Sequence, residues 1–170
     1  WASGTAFITR KNIFQQIGGF DETFFAHMEE IDYHWKCQLL GYEIWAEPKS
    51  VVYHHGAITL PRTSTYKTYL NYRNSLILLL TNYPAIISFK LFFPRFFMEI
   101  FSLIKEILFF QWGHAFAIMK SWLWIFFHPR FLFQRRQSII ITHEIDNIYR
   151  KSIVVRYYLM GKKAFTELIN

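Results

Sequence analysis

The sequence predicts an α/β fold over residues 1–60, followed by amphipathic α-helices. Three observations support this prediction. Short apolar segments alternate with helical patterns in the first 60 residues, and the later residues keep a helical spacing of apolar and charged side chains. The charge also changes sign: residues 1–60 hold four basic and seven acidic residues, a formal charge of −3, so the remainder of this +7 chain carries +10.

Residues 1–60 contain strand and helix signals in turn. Strand patterns occur in three short segments, "ASGTAFIT" (2–9), "YEIWAEP" (42–48) and "SVVYHHG" (50–56). The segment "RKNIFQQIGGF" predicts a short helix that Gly18 closes, because glycine readily adopts the left-handed conformation of a helix end. A second helix is predicted from Met28 to Leu40, where apolar residues recur every three or four positions and Gly41 ends the pattern.

Residues 61–136 are predicted to be helical and to lie on a membrane. Residues 61–82 keep polar side chains on one side, and "FFPRFFMEIFSLIKEILFFQW" and "GHAFAIMKSWLWIFFHPR" combine charged residues with many aromatic ones. No uncharged run reaches the roughly 20 residues that span a bilayer, so we expect two or three amphipathic helices in the interface. A helical hairpin packed on its own domain or on a partner chain is the alternative.

The third predicted region covers residues 137–170. It follows a segment, "RFLFQRRQ" (130–137), whose basic character predicts a hinge. The pattern of the region predicts a helical tail from Glu144 to Met160, closed by Gly161.

The composition favours a lipid partner over nucleic acid. Aromatic residues make up 21% of the chain, with 19 Phe, and long apolar runs separate the basic residues instead of letting them cluster. The single Cys37 excludes a disulfide framework and a cysteine-based zinc site within the chain. A basic-then-apolar leader is absent, so no signal peptide is predicted. The chain begins at Trp1 without an initiator Met, and we expect it to be a piece of a longer fold.

The stretch "GGFDETFFAHMEEIDYHWKCQLLGY" (18–42) gathers five acidic residues and two histidines. Carboxylates are favoured in the first turn of a helix, and Asp32 has Lys36 four residues later as an ion-pair partner. Asp32 also lies at the edge of the apolar face, where a carboxylate has to be hydrogen-bonded or serve a site. Together with one of the two adjacent histidines at the end of a predicted strand, His54 or His55, such carboxylates suit a divalent cation. A zinc hydrolase is disfavoured, because "HMEEI" lacks the second histidine of that motif.

The residues from "SGTAFITRKNIFQQIGGFDETFFAHMEEIDYHWKCQLLGY" to "EIWAEPKSVVYHHGAITL" resemble a known family. They are similar to the C-terminal half of the catalytic domain of family 2 glycosyltransferases, in particular rhamnosyltransferase-like members from Bacteroidetes-type bacteria. The shared pattern is a small-residue strand, "GGFDE-x-FF", a carboxylate pair with a third carboxylate, "GY-x-I", and a strand ending in His. The resemblance implies the GT-A fold, which is the Rossmann-like fold of nucleotide-diphospho-sugar transferases.

The resemblance also implies roles for individual residues. Glu30 matches the general base that takes the proton of the acceptor hydroxyl, at a position where many relatives carry Asp. Glu29 matches a residue that contacts the acceptor, and Asp32 matches a third carboxylate with a structural or orienting role. The remaining matches are Asp21 and Glu22 near the sugar-binding edge, and His54, which in some relatives helps to bind the metal and diphosphate.

The function implied by the resemblance is an inverting transfer of a sugar from a nucleotide-diphosphate sugar to a membrane-linked or cell-envelope glycan. Mg²⁺ or Mn²⁺ is the implied cofactor, held mainly by an upstream half with an Asp-x-Asp motif, which these 170 residues lack. We therefore expect the 170 residues alone to be inactive. The implied location is peripheral, at the cytoplasmic face of the inner membrane. The alternative is a non-catalytic membrane-surface or partner-binding module that retains the scaffold.

Overall fold

The computed structural model describes residues 2–54, 61, 63–145, 148–149, 152–164 and 166–167. Within these ranges the protein is helical. Its α-helices are α1 (Lys11–Ile17), α2 (Glu29–Leu39), α3 (Thr65–Thr81), α4 (Ala85–Leu108), α5 (Trp112–Phe127) and α6 (Pro129–Ser138). A 3-10 turn (Glu22–Phe24) precedes α2, and a π-helical turn (Val155–Leu159) lies in the tail.

The predicted α/β, Rossmann-like fold is wrong for the part of the chain that the structure describes, which contains no strand and no sheet. Residues 2–10 and 42–54 carry strand patterns but form no ladder, and Ile8 and Tyr53 are almost fully exposed. A strand becomes stable only when a neighbouring strand pairs its N–H and C=O groups. These segments have no such partner among the described residues. The end of the third predicted strand, from residue 55, lies outside them.

Both helices predicted within the first 60 residues are confirmed. α1 ends at Gly18, which adopts the left-handed conformation with a φ of 87°. α2 matches the predicted stretch to within one residue at each end, and Gly41 follows it with a φ of 82°. The two helices meet through an aromatic cluster in which Tyr33 of α2 contacts Phe7, Phe14 and Phe20.

The core lies between α3 and α5, with α4 packed on both helices and α6 on α3. α3 begins where the Ser64 side chain accepts a 3.3 Å hydrogen bond from the Lys67 N–H, a common way to satisfy a free helix N–H. Side chains almost completely withdrawn from solvent form the core, among them Phe24, Leu70, Leu76, Ile77 and Ile118. Burial of each contributes about 1.5–3 kcal/mol. Because Phe24 comes from the 3-10 turn, the acidic stretch and the later helices share this core.

The predicted basic hinge at residues 130–137 is wrong, because these residues lie within α6. Pro129 occupies the first turn of α6, where its missing N–H leaves no helical hydrogen bond unmade. Arg135 is buried, and Arg136 donates hydrogen bonds to two carbonyls at the C-terminal end of α3. Both guanidinium groups therefore form hydrogen bonds within the protein, and residues 130–137 do not form a solvent-exposed hinge.

α4 is the longest helix described, with 24 residues and a length of about 36 Å. No helix in the described ranges combines the length and the apolar character that crossing a membrane requires. In the tail, the predicted helix from Glu144 to Met160 is wrong in extent, since residues 144–145, 148–149 and 152 are not helical and, among the described residues, helical structure begins at residue 153. Gly161 follows with a φ of 68°. Residues 146–147 and 150–151 lie outside the described ranges.

Candidate functional site

The acidic segment, residues 21–32, leads from the 3-10 turn into α2. Asp21 caps the turn by accepting a 3.0 Å hydrogen bond from the Thr23 N–H. Three non-glycine residues then have positive φ values, of 59° at Phe25, 66° at His27 and 77° at Met28. Each such conformation costs about 1–3 kcal/mol and persists only where the surroundings hold it, commonly at functional sites. The 25–28 loop therefore concentrates backbone strain next to the carboxylates.

Asp32 is buried in an ion-pair network that joins α2 to α6. Its Oδ1 lies 2.6 Å from the Arg135 guanidinium and accepts a 2.7 Å hydrogen bond from the Asn82 amide. Its Oδ2 lies 2.7 Å from the Lys36 ammonium, which confirms the ion pair expected from the sequence. Only 1% of Asp32 is exposed. Both carboxylate oxygens are thus paired with cations of the protein itself.

The same guanidinium also binds Asp21. Arg135 Nε donates a 3.0 Å hydrogen bond to Asp21 Oδ2, and Arg135 also donates to the side chains of Thr81 and Asn82. Burial raises the pKa of Asp21, but the hydrogen bonds from Thr23 and the charge of Arg135 outweigh burial and lower that pKa below its usual value. α6 therefore binds both ends of the acidic segment through one side chain.

The other three predicted carboxylates have different surroundings. Glu22 is exposed on the 3-10 turn, and Glu29 buries one carboxylate oxygen that has no hydrogen-bond partner within the described residues. Glu30 is half-buried on the first turn of α2. Its side chain lies close to the backbone of Gly4, because a Cβ atom added at Gly4 would be 3.4 Å from it. Among the described residues, the Glu30 carboxylate belongs to no ion pair. An unpaired carboxylate of this kind is available to accept a proton.

A buried histidine lies one helical turn after Glu30. The His34 ring packs edge-on against Phe7, with the ring centroids 4.8 Å apart, and only 4% of the residue is exposed. Desolvation lowers the pKa of His34, although the backbone and the charge of Glu30 oppose this effect. His34 is therefore neutral at pH 7 and adds no positive charge beside the carboxylates.

His54 is not brought together with the carboxylates in a metal site. It is exposed in the irregular segment 42–54, and residues 50–54 of the strand that was predicted to position it form no strand. The described part of the chain contains no group of three or more His, Cys, Asp or Glu side chains that could hold a metal ion. Its neighbour His55 lies outside the described residues. A metal-binding role for His54 stays a prediction.

Two α3 residues that were not predicted to belong to the site contact the acidic segment directly. Asn74 is completely buried and donates hydrogen bonds to backbone carbonyls of the segment. Arg73 donates a 2.6 Å hydrogen bond to the Thr23 carbonyl. The signal that could have identified them is the polar pair "RN" (73–74), which lies shortly before the apolar helical run "LILLL" (76–80).

Comparison with known proteins relates part of the chain to a glycosyltransferase. Over 57 residues it is 37% identical to the N-acetylglucosaminyl-diphospho-decaprenol L-rhamnosyltransferase of Mycobacterium tuberculosis strain CDC 1551 / Oshkosh, and equally to that of strain ATCC 25618 / H37Rv. The matched stretch is 34% of this chain and covers only 19% of the length of each relative. No protein-family profile matches the chain, and no solved structure matches it significantly. About one third of the chain is thus glycosyltransferase-like.

Proposed function

We propose that this chain is part of a glycosyltransferase of family 2, in the hexosyltransferase class. It transfers a sugar from a nucleotide-diphosphate sugar to a hydroxyl of a membrane-linked or cell-envelope glycan, with inversion at the anomeric carbon. The observation that carries the proposal is the 37% identity over 57 residues to the mycobacterial rhamnosyltransferases. The family and the stereochemistry rest on the resemblance of the pattern from "GGFDETFF" to "VVYHHG".

Glu30 is the residue that we assign as general base. The transfer requires a group that takes the proton of the acceptor hydroxyl while the hydroxyl oxygen attacks the anomeric carbon and the nucleoside diphosphate departs. Asp21 and Asp32 are unsuited to this task, because they bind Arg135 at 3.0 and 2.6 Å. Glu30 lies on the same segment outside the ion pairs of the described residues. Glu22 and Glu29 are assigned to the sugar or the acceptor.

A divalent cation, Mg²⁺ or Mn²⁺, is the cofactor that the resemblance implies. The described residues do not fit such a site, because they offer no group of three ligands and two of the carboxylates bind a guanidinium. Carboxylate oxygens engaged in this way are not free to coordinate a metal ion. No step that we assign to this chain therefore depends on the cation.

A membrane surface is the second part of the proposal. The name of the mycobacterial relatives specifies a decaprenol-linked compound, and we expect a lipid-linked acceptor for this chain as well. α4 and α5 present a wide apolar face, the α4–α5 surface, that includes the exposed side chains of Phe97, Phe101, Leu108, Phe116, Leu123 and Phe126. A large exposed apolar face is typical of a surface that binds a membrane or a protein.

The charge of these helices favours the membrane. Exposed basic residues accompany the α4–α5 surface at Lys90, Lys105, Lys120 and Arg130. Aromatic rings beside ammonium groups suit the boundary between anionic headgroups and acyl chains. We therefore place the protein peripherally at the cytoplasmic face of the inner membrane, where a lipid-linked acceptor would be presented.

The catalytic assignment is tested by sugar transfer in the full-length protein, with a panel of nucleotide sugars. Glu30→Gln keeps the size of the side chain but removes its basicity, so we expect turnover to fall by about 10²–10⁴-fold. Glu47→Gln is the matched control, because Glu47 is an exposed carboxylate of the same region. Circular dichroism of both variants checks that the fold is retained. Undiminished turnover of Glu30→Gln would remove Glu30 from the role of base.

The membrane assignment is tested by flotation with vesicles that contain anionic lipid. We expect the protein to float, and a Phe97→Ser/Phe101→Ser/Phe126→Ser variant to stay at the bottom of the gradient. Val51→Ser/Val52→Ser/Tyr53→Ser is the control, because it removes three exposed apolar side chains outside α4 and α5. Flotation of the α4–α5 variant together with the control would contradict the assignment. Point substitutions are preferable to deletion of residues 89–136, which would also remove Arg135.

A non-catalytic membrane-surface or partner-binding module is the second candidate. The size of the α4–α5 surface favours it, because binding to a membrane by this surface requires none of the carboxylates. Flotation without transfer from any nucleotide sugar by the full-length protein would support this candidate over the enzyme.

A further inference from the structure

The backbone of the acidic segment converges on one side chain of α3. The Asn74 Nδ2 atom lies 2.9 Å from the carbonyl oxygen of Phe24, 2.9 Å from that of Ala26 and 2.8 Å from that of His27. An amide nitrogen carries two hydrogens, so three carbonyl oxygens share them. Asn74 has no exposed surface. Water therefore cannot replace this amide without a change in the packing of α3 against the loop.

The orientation of the Asn74 amide is fixed by its neighbour. Asn74 Oδ1 accepts hydrogen bonds from Arg73 Nε at 2.9 Å and from an Arg73 terminal nitrogen at 2.8 Å. A flipped amide would place its oxygen against three carbonyl oxygens and its nitrogen against a guanidinium, so only one orientation is stable. The guanidinium carbon of Arg73 lies 5.3 Å from the ring centroids of both Tyr69 and Trp124. Arg73 is thus held by two aromatic rings while it holds Asn74.

The loop that Asn74 holds is the strained one. Phe25, His27 and Met28 have positive φ values, and the carbonyls that bind Asn74 flank or belong to these residues. Left-handed non-glycine residues persist only when the surroundings compensate for their cost. Met28 is the last residue before α2, whose first two residues are Glu29 and Glu30. A relaxed loop would therefore change where α2 begins and where the Glu30 carboxylate lies.

We propose that Asn74, held by Arg73, is a positioning residue for Glu30: it keeps the 25–28 loop in its strained, positive-φ conformation and so places the base for proton transfer. This inference rests on the proposed function. It assigns no contact between Asn74 and the substrates. Asn74 acts through the loop backbone, so its loss should slow the chemical step while binding of the nucleotide sugar continues.

The test compares Asn74→Ala with a variant that is destabilised elsewhere, both in the full-length protein. Leu79→Ala is the control, because Leu79 is a buried residue of the same helix. Its carbonyl accepts a hydrogen bond from Ser88 of α4 and not from the acidic segment. We expect Asn74→Ala to lower kcat by about 10²-fold, the effect of a displacement of roughly 1 Å, with little change in the KM of the nucleotide sugar. Leu79→Ala should lower the Tm but keep kcat.

A double-mutant cycle with Glu30→Gln separates positioning from general stability. If Asn74 acts through Glu30, the double variant Asn74→Ala/Glu30→Gln should be no slower than Glu30→Gln alone, because the base is already lost. Arg73→Lys provides a milder version of the same test. It retains the charge but loses the paired hydrogen bonds to Asn74, so we expect a smaller loss of kcat that is again not additive with Glu30→Gln.

The outcomes distinguish the inference from the function on which it rests. Additive losses in the cycle, or an equal loss of kcat in Leu79→Ala, would overturn the positioning role while Glu30 remains the base. Full turnover of Glu30→Gln would overturn both. If Asn74→Ala does not fold, the Arg73→Lys cycle decides: additivity rejects the role, and non-additivity supports it.

Discussion

Replacement of Arg135 by Met tests the network that joins α6 to the acidic segment. The substitution keeps most of the side-chain volume and removes the cation that binds Asp21 at 3.0 Å and Asp32 at 2.6 Å. Loss of one partner from a buried ion pair costs about 3–5 kcal/mol, because the remaining charge is buried without compensation. Asp32 is 1% exposed but keeps the Lys36 ammonium at 2.7 Å. We therefore expect a loss near the lower end, about 3 kcal/mol.

The loss is measured by urea unfolding followed by circular dichroism, with thermal unfolding as a second method. A change of about 3 kcal/mol in a chain of this size corresponds to a decrease of about 6–12 °C in Tm. Lys105→Met is the control, because the Lys105 side chain is 61% exposed and its pair with Glu106 lies on the surface. Such a pair contributes about 0–1 kcal/mol. A free energy of unfolding for Arg135→Met within 1 kcal/mol of the wild type would refute the reasoning.

Two further predictions concern the dependence of stability on pH. Desolvation raises the pKa of Glu99 above its usual 4.5, although Arg95 and the Trp122 indole oppose this shift. The folded state therefore holds the Glu99 proton more tightly than the unfolded chain does, so the free energy of unfolding should fall as pH rises above 4.5. Glu99→Gln should remove this slope when urea unfolding is measured at a series of pH values. Desolvation lowers the pKa of His34 below 6.5, so the unfolded chain takes up the proton first as pH falls, and stability should decrease below pH 6.5. His34→Phe should abolish that decrease, and an unchanged slope would contradict the assignment to His34.

The two helices of the first 60 residues, α1 and α2, were predicted well because their signals are local. The ends of α1 and α2 are marked by Gly18 and Gly41, both of which have positive φ, and the apolar spacing of α2 is visible within a dozen residues. The strand predictions were wrong because the stability of a strand does not depend on local signals alone. An alternating pattern shows which side chains would lie on each face of a strand. The stability of that strand depends on a partner strand, which the pattern does not identify.

The candidate site was predictable only where its residues are neighbours in sequence. The argument that a carboxylate at the edge of an apolar helix face must be hydrogen-bonded is confirmed for Asp32. Its partner Arg135 is 103 positions away along the chain. The segment "QRRQ" has the composition of a solvated basic stretch, and nothing local indicates that one guanidinium turns inward while the helix continues. Long-range ion pairs of this kind need the packing of α6 on α3 to be known first.

The attachment of α6 has a practical meaning for protein engineering. A chimera that exchanged the C-terminal helices for those of another protein would separate Arg135 from Asp21 and Asp32, and would leave two acidic groups facing a foreign surface. The three residues depend on one another in the structure, although Arg135 follows Asp21 by 114 positions and Asp32 by 103. Recombination points therefore have to respect this triad, and a graft should carry either all three residues or none.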